Sequence, residues 1–85
     1  MTTVVMTQDE LKQTVLDVLA MIAPELDTAE IDPTVNIRAT YDIDSFDFLN
    51  VLIALDEQVG VEIPEADYGE LESVDDIVAY LQARM

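Results

Sequence analysis

The stretch "YDIDSFDFLNVLIALDEQVG", residues 41–60, sets three aspartates and a serine directly ahead of a long apolar run. Two chemistries suit such a cluster: a calcium loop, or a helix start that displays a hydroxyl. An EF-hand loop needs oxygen ligands at its first, third and fifth positions, glycine at the sixth and a bidentate glutamate at the twelfth. With Asp42 first, Asp44 falls third, but Phe46, Asp47 and Ile53 take the fifth, sixth and twelfth places. Those failures remove the calcium reading, and no metal site is expected.

The helix-start reading survives. Asp44 serves as N-cap, Ser45 is the first helical residue and Asp47 the third; Ile43 and Phe48 form a hydrophobic staple, and Gly60 ends the helix. A serine at a helix start is most often the cap itself. Because Asp44 takes that role, the Ser45 hydroxyl is left to point outward at the positive end of the helix dipole, where amide donors favour a phosphate. The chain has no histidine and its one lysine, Lys12, is remote in sequence, so nothing nearby activates Ser45 as a nucleophile. The hydroxyl is suited to being modified, and no catalytic residue is expected.

At roughly 100° per residue from Ser45, the side chains of Phe48, Val51, Leu52, Leu55 and Val59 share a sector from roughly 240° to 340°, the expected core stripe. Leu49, Ile53 and Phe46 fall at roughly 40°, 80° and 100°, a separate apolar patch beside the serine.

Outward from this segment, "MTQDEL" at residues 6–11 pairs Thr7 with Glu10 as a capping box and Met6 with Leu11 as a staple. Leu11, Val15, Val18, Leu19 and Ile22 then recur at helical spacing until Pro24. From Pro24 to Ile43 no periodicity is sustained, which predicts an ordered loop of about 20 residues, long for a compact domain. Ile31, Val35 and Ile37 are its expected anchors; "TVNI" has no alternating partner run, so no strand is expected. Beyond "GVEIP", the run "EADYGEL" suits a short helical turn, and Ser73 caps a last helix with Val74, Ile77, Val78 and Leu81 on one face. The expected fold is all-α: a small four-helix bundle of three main helices and one short one, with a long ordered loop after the first, residues 1–85 making a single domain.

A chain of 85 residues buries only about 60 to 65% of its unfolded surface, so one small core is expected. Its 51% hydrophobic content supplies that core and sets it apart from a disordered acidic tail. Nineteen acidic residues against Lys12, Arg38 and Arg84 leave a net charge of −16, which repels nucleic acid and anionic membrane and attracts basic partner surfaces. Without cysteine or histidine there are no disulfides, thiolate nucleophiles or Cys/His zinc sites, and conventional catalysis is not expected. No signal-like or membrane-spanning run is present, so a cytoplasmic location is expected.

The segment "DSFDFLNVLIALDEQVGVEIPEADYGELESVDDIVAYL" resembles the second half of acyl carrier proteins. There an Asp-Ser-Leu motif opens the second helix, which ends in an acidic pair before an Ile-Pro and a short third helix. The resemblance implies that Ser45 receives 4'-phosphopantetheine from coenzyme A, and that the terminal thiol of this arm carries an acyl group as a thioester, supplying the thiol that the chain itself lacks. It implies as partners a phosphopantetheinyl transferase and acyl-transferring or synthase enzymes with basic docking surfaces, met by Asp44, Asp47, Asp56 and Glu57. The patch of Phe46, Leu49 and Ile53 joins these as expected partner-binding residues, on a protein expected to be a monomer.

Phe46 replaces the family's usual leucine, and Asp42 its common glycine. Phe48, Leu49 and Asn50 stand where polar or acidic residues are frequent. These departures suit a specialised lipid or polyketide carrier at least as well as one of fatty-acid synthesis. Two other readings use the same residues: an unmodified acidic helical module that docks into a basic groove, or a carrier of aminoacyl or peptidyl groups.

Overall fold

A computed structural model describes residues 7–85, in which the chain forms α1 (Gln8–Ile22), α2 (Ile37–Tyr41), α3 (Ser45–Val59) and α4 (Val74–Ala83). Two 3-10 turns, Thr28–Glu30 and Glu65–Glu70, complete it, and there is no strand among the described residues. The fold is all-helical. None of these helices is long and apolar enough to cross a membrane.

α1 starts where its caps place it. Thr7 Oγ1 accepts from Glu10 N at 3.2 Å, and the Glu10 carboxylate accepts from Thr7 N at 2.9 Å, a capping box that contributes about 1 kcal/mol. The bonds from Thr7 hold the Glu10 carboxyl below its usual range. The expected staple partner Met6 lies outside the described residues. Leu11, Val15, Val18 and Leu19 are buried, with Ile22 packed at the rim of the core. On α3 the buried residues are Phe48, Val51, Leu52 and Leu55, with Val59 half-buried; on α4 they are Val74, Ile77, Val78 and Leu81. α1 lies against both α3 and α4, and these three stripes close one apolar core.

The connection from Pro24 to Ile43 is ordered, as expected, but it also carries helical turns that periodicity does not disclose. α2 spans only five residues. Its signals are its ends: Asn36 Oδ1 accepts from Ala39 N at 3.0 Å, and Asp42 closes the helix in the left-handed region with φ 55°. Ile31 and Ile37 are buried and Val35 is half-buried. Two backbone bonds then clamp the connection to the start of α4, Ile37 N to Glu72 O and Asp75 N to Pro33 O, both 2.9 Å. They occupy amide donors that two helix starts would otherwise leave orphaned.

Aspartate is one of the few non-glycine residues that visit the left-handed region, and it does so at some cost. Asp42→Gly should therefore stabilise the fold by about 0.5 to 1 kcal/mol in chemical denaturation, the relief of backbone strain exceeding the added chain entropy. Loss of stability would show that the Asp42 carboxylate makes a contribution that outweighs its backbone strain.

The turn Glu65–Glu70 is held against α4 by one cluster. Tyr80 Oη donates to Asp67 Oδ2 at 2.6 Å, while Arg84 lies 3.5 Å from the same oxygen and 3.7 Å over the Tyr80 ring. Burial first, and then the Asp67 carboxylate, push the Tyr80 hydroxyl up. This cluster places the turn beside the start of α3.

Candidate functional site

α3 begins as its sequence dictates. Asp44 is extended, and its Oδ1 accepts from Asp47 N at 2.8 Å. Ile43 and Phe48, the expected staple, both enter the core. Ser45 is thereby the first residue of the helix, with an exposed side chain. The chain's other serine makes the opposite case: Ser73 is 5% exposed, and its Oγ accepts from Asp76 N at 3.0 Å as the cap of α4. Of the two hydroxyls, only that of Ser45 is presented to other molecules.

The remaining expected site residues run along α3 from the cap Asp44 to Glu57 near its far end. Phe46 is 70% exposed, Ile53 45% and Leu49 36%, so the patch separated from the core stripe by helical angle is separated in space as well. Asp44 and Glu57 are exposed, and Asp47 and Asp56 are half-buried. The acidic residues lie at the two ends of α3, with the apolar patch between them.

Beside Ser45 opens a pocket of about 280 Å³ that sequence reasoning missed. α3 contributes Ser45, Phe48 and Leu49 to its lining, α2 contributes Arg38, and the turn Glu65–Glu70 contributes Glu65, Tyr68 and Gly69. The guanidinium of Arg38 stacks 4.9 Å from the centroid of the Phe48 ring. Its Nε is buried without a hydrogen-bond partner among the described residues. A Cβ added at Gly69 would meet nothing within 4 Å, so that wall of the pocket is open. The one sequence signal for this pocket is Arg38 itself, a rare cation seven residues before the serine. No group of three or more acidic residues among those described is arranged to hold a metal ion.

Three comparisons bear on what this geometry serves. The family model described as the phosphopantetheine attachment site matches residues 9–81. The acyl carrier protein of Helicobacter pylori (strain G27) is 34% identical over 68 residues, covering 78% of this chain and 87% of that protein. That of Thermobifida fusca is 34% identical over 71 residues, covering 80% and 90%. The solution structure of a protein assigned to the acyl carrier proteins of Anaplasma phagocytophilum superposes with a TM-score of 0.81 at 27% identity, over 95% of this chain and 94% of that one. The chain belongs to the acyl carrier proteins, a family with a phosphopantetheine attachment site whose members are carriers and not catalysts.

Proposed function

We propose that Ser45 is the attachment point of the phosphopantetheine arm, and that residues 1–85 work as one carrier domain delivering acyl groups to partner enzymes. The observation that carries this reading is the exposed Ser45 hydroxyl at the first position of α3, relieved of capping by Asp44. In attachment the Ser45 Oγ–P bond forms, the phosphoanhydride of coenzyme A breaks with departure of the nucleotide, and the hydroxyl proton passes to the transferase. The arm supplies a terminal thiol, which this cysteine-free chain lacks, for thioester linkage.

The residues around Ser45 fit such a group. The hydroxyl is accessible, the buried Arg38 Nε has a hydrogen bond to give, and Gly69 leaves room along the pocket wall. Phe46, Leu49 and Ile53 present an apolar centre for docking, and Asp44, Asp47, Asp56 and Glu57 supply charge for basic surfaces on the transferase and the acyl-handling enzymes. The apolar character of this face, with Phe46 and Leu49 beside the serine, favours a specialised lipid or polyketide pathway.

Incubation with coenzyme A, magnesium and a broad-specificity transferase, followed by peptide mapping of the added mass, tests the attachment. One arm per chain is expected, on Ser45, with complete loss in Ser45→Ala and none in Ser73→Ala. An arm retained by Ser45→Ala, or none on the parent protein, would overturn the reading.

A further inference from the structure

Arg38 is unusual in its surroundings. Nineteen acidic residues compete for three cations in this chain. Arg84 is paired with Asp67, yet no carboxylate among the described residues lies within ion-pair distance of Arg38, although Glu65 lines the same pocket. Its guanidinium face is taken up by Phe48, which leaves the in-plane N–H groups as its remaining means of binding. One of them, at Nε, is buried and has no protein hydrogen-bond partner among the described residues, a condition that in folded proteins calls for a water, an ion or a ligand group to accept from it.

The position of Arg38 relative to Ser45 is set by backbone. Its carbonyl accepts from Asp42 N in the left-handed cap of α2 and from Ile43 N at 3.2 Å, two residues before the serine. Arg38 and Ser45 then face the same pocket. A phosphorus joined to Ser45 Oγ stands one bond from that oxygen, so its anionic oxygens enter the space that Arg38 borders. The planar guanidinium fork matches phosphate, as it does carboxylate, through charge-assisted bonds, and at Ser45 the anion one bond from the hydroxyl is a phosphate.

We propose that Arg38 is the binding residue for the phosphodiester of the arm, donating from Nε and the adjacent N–H groups while Phe48 holds its plane. This assignment rests on attachment at Ser45. Arg38 offsets the negative charge that the arm adds next to Asp44 and Asp47, and it turns the first part of the arm toward the pocket bounded by Tyr68 and Gly69.

The test compares ¹⁵N-labelled protein with and without the arm, after peptide mapping has located the added mass. In the wild-type protein the Arg38 Nε–Hε resonance should move downfield on attachment, and its exchange with water should slow by about tenfold or more, the protection given by a charge-assisted hydrogen bond. The ³¹P resonance of the armed protein should shift in Arg38→Met. The wild-type Nε–Hε signal carries the test by itself if that variant does not fold. A mapped arm on Ser45 with an unchanged Arg38 signal overturns the Arg38 assignment and leaves the attachment standing. A response seen only when the thiol carries malonate, and not with the free thiol, assigns Arg38 to a cargo carboxylate and overturns it too. Absence of the arm from Ser45 overturns both readings.

Discussion

Leu55→Ala should cost about 2 to 5 kcal/mol of stability, whereas Leu49→Ala, six residues earlier on the same helix, should cost no more than ~1 kcal/mol. Leu55 is fully buried on the face of α3 that meets the core, so its truncation removes apolar contact and leaves a cavity that neighbouring side chains fill only in part. Leu49 is 36% exposed beside Ser45, and the space left by its truncation joins an open pocket. The order should reverse in function. If the exposed patch is a docking surface, Leu49→Ala should lower kcat/KM for arm attachment by about fivefold or more, because its apolar contacts are completed only in the complex. Urea denaturation of both variants with transferase kinetics on Leu49→Ala would decide the matter. Equal destabilisation by the two substitutions would assign the patch to the core and leave the acidic residues as the recognition surface.

Raising sodium chloride from about 0.01 M to about 0.3 M should lift the melting temperature by about 5 to 10 °C, the equivalent of ~1 to 2 kcal/mol for a domain of this size. The net charge is −16, and the radius of gyration is only 12.2 Å. At about 0.01 M salt the Debye length is ~30 Å, so every carboxylate repels nearly every other one in the molecule; near 0.1 M it is ~10 Å, and only neighbours count. Each unscreened like pair ~10 Å apart in water costs ~0.4 kcal/mol, and unfolding relieves many of them at once. Magnesium should raise the melting temperature gradually, with no plateau at one ion per chain, since no metal-holding acidic cluster occurs among the described residues. A melting temperature indifferent to salt would mean that the carboxylates are spaced widely enough for their repulsion to be minor. A stoichiometric plateau would reveal a specific cation site.

The main helices and the presentation of Ser45 could be read from the sequence because their causes are local. Thr7, Asp44 and Ser73 each accept from a backbone N–H three residues ahead, and the apolar side chains of α1, α3 and α4 recur at the helical period, so neighbours along the chain determine both start and buried face. The same local rule separated Phe46, Leu49 and Ile53 from the core, since helical angle alone distinguishes them from Leu52 and Leu55. Other features depend on groups far apart in sequence. α2 is too short to show a period, and the clamps from Ile37 N to Glu72 O and from Asp75 N to Pro33 O span more than thirty residues. The pocket beside Ser45 is assembled from α2, α3 and the turn Glu65–Glu70, the last held in place by Tyr80, Asp67 and Arg84. Local propensity placed the serine at the helix start; only tertiary packing decided that a stacked arginine with an unmet donor would border the same pocket, because such a juxtaposition requires that the core close first.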